Sequence, residues 1–149
     1  MDNGLLKKSY TAAALAAAGI TAALAVYAVV AELLRHNGFR PPVEPPAAYA
    51  LKYGLYVAGL AAVPLLKLAG RFDVKKAGPE ETLRSLVLLT LIRTALSEMP
   101  AVCGFILFIL TGAYADFYLL LAFAAGLEIY HFPRLNAWEE RIRGDFGTL

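Results

Sequence analysis

A chain of 149 residues that is 59% hydrophobic and 17% charged exceeds the apolar share of about 45–50% found in soluble domains. Its net charge of +2 is too small to imply a nucleic-acid partner, and one cysteine, Cys103, excludes an intrachain disulfide or a thiolate metal cluster. The composition describes an all-α integral membrane protein forming one transmembrane domain.

The polar leader ending at Lys7-Lys8 precedes an apolar stretch, Ser9 to Leu34, interrupted near its end by Glu32. Crossing about 30 Å of hydrocarbon takes roughly 20 helical residues, so the stretch is long enough to span with some tilt. A signal peptide is the rival reading, because paired lysines and Ala25, Ala28 and Ala31 imitate one. The longer apolar core favours a retained helix over about 9–34. Ala14, Ala18 and Ala22, with Gly19 alongside, form a small-residue stripe that would let another helix approach closely.

Pro41 to Pro46 predicts a stiff polyproline-like connector, because proline cannot donate into a helix interior. A second span is predicted over about 48–69, with Tyr49, Tyr53 and Tyr56 at the membrane interface and Lys52 snorkelling to the headgroups. After a polar connector, Pro79-Glu80-Glu81 has the composition of a helix start. The third span covers about 84–110. A tight turn at Thr111-Gly112 leads into a fourth, shorter one over about 117–130.

In the tail, 131–149, Leu135, Trp138 and Ile142 recur at helical spacing opposite Glu139, Glu140 and Arg143. That pattern predicts a short amphipathic helix lying in the membrane interface, with docking to a partner protein as the alternative. Lys7, Lys8, Lys67, Arg71, Lys75, Lys76, Arg84, Arg134, Arg141 and Arg143 fall on one side of the four spans. Only Arg35, Arg40 and nearby Lys52 fall on the other. The positive-inside rule then predicts a multi-pass protein of a bacterial inner membrane with both termini in the cytoplasm.

The third span carries two ionisable residues, Arg93 and Glu98. Inside a bilayer such groups must be paired, neutralised or wetted, so each is a functional hypothesis. At 1.5 Å per residue, Arg93 falls at about the depth of Glu128 near the end of the fourth span, which predicts an Arg93–Glu128 ion pair. Glu98 lies roughly 7–8 Å deeper, without an evident cation, and a desolvated carboxylate tends to take up a proton. Pro100 frees the Leu96 carbonyl and can kink the helix, offering with Ser97 and Thr94 a set of oxygens for a proton or sodium ion. The competing expectation is a structural polar cluster that fixes helix register in a small accessory membrane protein. Cys103 reads as a small buried apolar residue.

The stretch Ala95-Leu-Ser-Glu98-Met-Pro-Ala101-Val-Cys-Gly104-Phe-Ile-Leu resembles the carboxylate helix of rotary ATPase ring (proteolipid c) subunits. That resemblance implies Glu98 as an ion carrier, with Ser97 and Thr94 as auxiliaries, although Pro100 interrupts the pattern. The latter half, with Leu110-Thr-Gly112 and Phe132-Pro-Arg134, is also similar to small uncharacterised four-span bacterial membrane proteins, a resemblance that implies no activity. A phosphate-binding glycine loop, a paired-histidine metal motif and a nucleophile elbow are all missing, so neither an enzyme nor a bound cofactor is expected. His36 and His131 fall on opposite sides, which argues against a shared haem. The expected partners are the lipid bilayer and further copies of the chain or a membrane complex.

Overall fold

The computed structural model describes residues 3–43, 47–71 and 78–146, and these are all helix, turn or loop. Six helical segments follow in order: α1 (Asn3–His36), α2 (Ala47–Leu60), α3 (Ala62–Ala69), α4 (Pro79–Thr111), α5 (Tyr114–His131) and α6 (Leu135–Phe146). Segments α2 and α3 meet at a break at Ala61 and together form one apolar stretch of 23 residues. With α1 and α4 it makes three helices long and apolar enough to cross a membrane, and the chain is a membrane protein. A fourth crossing exists if α5 and α6 are taken together, across a 44° bend. The end of the proline connector, 44–46, and 72–77 of the second connector lie outside the described residues.

Helix α4 touches every other helix. Its faces divide the work. Gly104 lies against α5, where an added Cβ would come within 2.9 Å of the Leu120 Cβ and 3.2 Å of the Phe117 carbonyl. Pro100 and Cys103 lie against Gly59 of α2, whose missing side chain admits the Pro100 Cα. Toward α1, Tyr27 stacks on Phe105 at 5.3 Å between ring centroids. Such contacts suit helices in lipid, where close packing rather than water exclusion drives association. The helix continues through Pro100, so the expected kink leaves no break in the element.

These contacts also set directions. Leu6 packs with Leu83 and Leu86, and Ala31 with Phe108, so α1 and α4 run parallel. Gly59 opposite Pro100 and Gly70 opposite Arg93 make α2–α3 antiparallel to α4, as Ala101 opposite Ala124 and Phe108 opposite Phe117 do for α5. The start of α1 and helix α6 therefore meet at one end of the bundle.

At the opposite end, Gly112 adopts φ 71° and its N–H closes the last turn of α4 on Phe108 O at 2.8 Å. Glycine reaches that left-handed conformation without a Cβ penalty, and Pro41 of the α1–α2 loop packs into the space. Two polar clusters fasten the start of α5. Tyr114 and Tyr118 both donate to Glu32 of α1. Asp116 accepts from Tyr56 at 2.7 Å and pairs with Lys52 at 2.9 Å. Lys52 is thus tied to Asp116 instead of snorkelling freely to headgroups.

Residues 18, 19 and 22 of the small-residue stripe are exposed, and the face of α1 that packs within the chain is Leu6, Ala13, Ala17, Leu24 and Ala31. One expectation needs correction. The tail helix does not lay its apolar edge in a lipid interface. Trp138 and Ile142 are buried against Leu6, Leu83 and Leu86 of the same chain, with Leu135 half-buried beside them. The reason is helix length. At 1.5 Å per residue, α1 and α4 are each about 50 Å long, well beyond a hydrocarbon core of about 30 Å. Helix α1 starts before the expected 9, α4 starts at the expected Pro79, and their first turns present apolar surface that α6 covers. Tyr10 completes this contact, edge-on to Trp138 at 5.6 Å and donating to Pro133 O at 3.2 Å. Tyr49 and Tyr53 are exposed on α2, on its outward side.

Candidate functional site

Midway along the bundle the seam between α1, α4 and α5 turns polar. The Tyr27 hydroxyl donates to Glu98 Oε1 at 2.6 Å, which gives Glu98 a partner on a helix 71 residues away. Tyrosine is suited to this, because its ring packs against apolar neighbours while its O–H seeks an acceptor. The ring does so by stacking on Phe105.

Glu128 faces the same seam from α5 and is 3% exposed. Among the described residues, no hydrogen bond reaches either of its carboxylate oxygens. Thr21 of α1 lies close by, but its hydroxyl is committed to Ala17 O at 3.1 Å. Glu98 and Glu128 are near enough to act on each other, and both act on Tyr27. One turn beyond them toward the Gly112 end, Leu24, Ala101 and Ala124 close the seam with an apolar plug.

The expected Arg93–Glu128 ion pair is not formed. Depth was the right criterion but not a sufficient one. Counting equal numbers of turns from the Gly104–Leu120 contact brings Glu128 level with Leu96, close to the expected depth. That level is about one turn, roughly 4.5 Å, from Arg93, and the Arg93 side chain reaches the end of α3 instead of Glu128. A Cβ at Gly70 would come within 3.3 Å of the Arg93 guanidinium, which places that side chain at the end of α3.

Thr94 and Ser97 do lie on the buried side of α4. Their hydroxyls donate along their own helix, Thr94 to Thr90 O at 2.9 Å and Ser97 to Arg93 O at 2.8 Å. Each retains lone pairs for a further donor or cation. Pro100 faces α2, while Glu98 faces Tyr27 on α1. Among the described residues no group of three or more histidine, cysteine or carboxylate side chains could hold a metal ion.

Sequence reasoning missed Tyr27. The signal available was a tyrosine in the interior of an apolar span, where a hydroxyl needs a partner at similar depth. Glu128 was recognised, but assigned to the wrong neighbour. Comparison with family models, characterised proteins and solved structures finds no match.

The arrangement is therefore that of a helical membrane protein with one carboxylate, Glu128, buried without a hydrogen-bond partner and a second, Glu98, half-buried and held by Tyr27.

Proposed function

We propose that this chain is a small four-span integral membrane protein that binds a proton at the Glu98–Glu128 pair in its core. The observation that carries this reading is the Glu128 carboxylate, buried and without a hydrogen-bond partner beside a second carboxylate. An ionised group there would forgo its hydration shell and face a like charge, whereas one shared proton relieves both costs. Tyr27 orients Glu98, and Thr94 and Ser97 supply neighbouring oxygens. A sodium ion is the alternative occupant of the same oxygens.

The experiment is carboxyl modification by a lipid-soluble carbodiimide in native membranes, followed by mass mapping. Modification should fall on Glu128 or Glu98, decline as the pH is raised, and disappear from the mapped site in Glu128→Gln and Glu98→Gln respectively. Modification insensitive to pH, or none at either residue, sinks the proposal. Protection by sodium but not potassium at constant pH would assign the site to the metal cation.

A second reading is a structural or accessory protein whose polar seam fixes helix register. It is favoured by Glu98 and both hydroxyls being satisfied within the chain. Under it, both glutamine variants keep the wild-type fold and assembly while membranes show no pH-dependent labelling.

Placement follows from charge. Lys7, Lys8, Lys67, Arg71, Arg84, Arg134 and Arg141 belong to the end of the bundle where the start of α1 meets α6, which the positive-inside rule assigns to the cytoplasmic face of a bacterial inner membrane. The exposed Ala18, Gly19 and Ala22 offer a close-packing face to another copy or to a membrane-complex partner. A closed ring of copies would make this chain a ring- or channel-like subunit, as its resemblance to the carboxylate helix of ring subunits suggests. The mass of the purified assembly tests this, because a monomer rules out the ring.

A further inference from the structure

At the end of the bundle where α6 docks, a cavity of about 490 Å3 opens between α3, α4, the end of α5 and α6. Three guanidinium-bearing residues on different elements line it: Arg93 of α4, Arg134 of the α5–α6 link and Arg141 of α6. His131 lines it too, with Nδ1 at 2.9 Å from Leu127 O, which leaves Nε2 for another partner. Among the described residues no carboxylate lines the cavity, and Arg93 makes no side-chain hydrogen bond or salt bridge. Arg93 and Arg134 bring two like charges to one concavity, and burial strips Arg93 of part of its water. Both costs are recovered when an anion occupies the space.

The rest of the wall identifies the class of anion. Leu66, Leu86 and Leu89 share the cavity with the arginines, and Trp138 forms part of it. Guanidinium groups and leucines lining one cavity match a phosphate group attached to an acyl chain. From this geometry we infer that the cavity is a phosphate-binding site for the headgroup of an anionic phospholipid. Arg93 and Arg134 are the principal ligands, and the leucines receive the upper part of an acyl chain. This site is separate from the carboxylate seam and does not depend on the proton-binding reading.

The test uses the full-length protein purified in mild detergent and analysed by native mass spectrometry with added phosphatidylglycerol, phosphatidylcholine or inorganic phosphate. Wild type should retain phosphatidylglycerol at least about tenfold better than phosphatidylcholine, with retention falling as salt is raised. The paired variant Arg93→Gln, Arg134→Gln should lose that preference, and the paired lysine variant should keep part of it because it preserves charge. Should the glutamine pair fail to fold, the salt dependence and lipid preference of the wild type still decide. Saturable binding of inorganic phosphate without lipid preference would keep the phosphate site but reassign its source to a free anion. Equal retention of both lipids with no phosphate binding, or a folded glutamine pair that keeps full preference, overturns the site.

Discussion

Tyr27 and Glu98 show how far a single contact reaches at the residue scale. One hydrogen bond of 2.6 Å joins the first and third long helices at mid-depth, and it is the polar counterpart of the Tyr27–Phe105 stack beside it. Interhelical hydrogen bonds in bilayers couple by about 0.6 kcal/mol on average, and bonds to a charged group by about 1.5–3 kcal/mol. A double-mutant cycle of Tyr27→Phe and Glu98→Gln should therefore return a coupling of about 1 kcal/mol in reversible unfolding from bicelles; additive single effects would dissolve the pair. Glu128→Gln removes the ionisable group while keeping its shape, so it should leave the unfolding free energy unchanged or raise it. A loss of 2 kcal/mol or more, on the order expected for breaking a paired buried charge, would mean that Glu128 has a charged partner after all. Gly104→Ala is the steric test. Its Cβ would meet Leu120 at 2.9 Å and the Phe117 backbone at 3.2 Å, and the backbone atom cannot rotate away. A loss of about 1–3 kcal/mol is expected.

Helix length explains more than hydrophobicity at the scale of elements. Because α1 and α4 outrun the bilayer, their first turns need cover, and α6 supplies it with Trp138 and Ile142. Trp138 is the one tryptophan of the chain and is 5% exposed, so its fluorescence reports on α6 alone. In vesicles of brominated phosphatidylcholine, which the arginine-lined cavity does not select, its emission should be quenched only weakly, whereas an interfacial helix with its indole in the headgroups would be quenched strongly. Trp138→Ala should cost about 3 kcal/mol by leaving a cavity between α1, α4 and α6. The Thr111–Tyr114 corner is the corresponding device at the far end, where Gly112, Pro41, Glu32 and Asp116 hold the start of α5 to three neighbours.

Alternating helix directions bring the start of α1 and helix α6 to one end of the whole molecule. Single cysteines introduced at Asn136 and at Asn37 should therefore be labelled by a membrane-impermeant maleimide from opposite faces, in a background with Cys103 replaced by alanine. Labelling of both from one face would reverse the assignment of α5 as a crossing helix. The hub position of α4 also makes the molecule asymmetric: α1 bears the carboxylate seam with α5, while α3 and α6 enclose the arginine-lined cavity on another side of the same helix.

The membrane character, the apolar stretches and the choice of Glu98 and Glu128 as the residues needing explanation were all legible in the order of amino acids. Hydropathy and the cost of a buried charge are local properties, readable without knowing any neighbour. Depth was also legible, since rise per residue is constant, and it placed Glu128 close to its true level. Facing was not. Which way a side chain looks depends on helix start, crossing angle and the small residues that let one backbone approach another. Those three choices turned Arg93 toward Gly70, gave Glu98 to Tyr27 and left Glu128 alone. The fate of α6 was decided likewise, because an amphipathic edge carries the same pattern whether lipid, a partner or its own chain covers it. Only the tertiary structure, by extending α1 and α4 past the hydrocarbon, supplied the apolar surface that claimed Trp138 and Ile142.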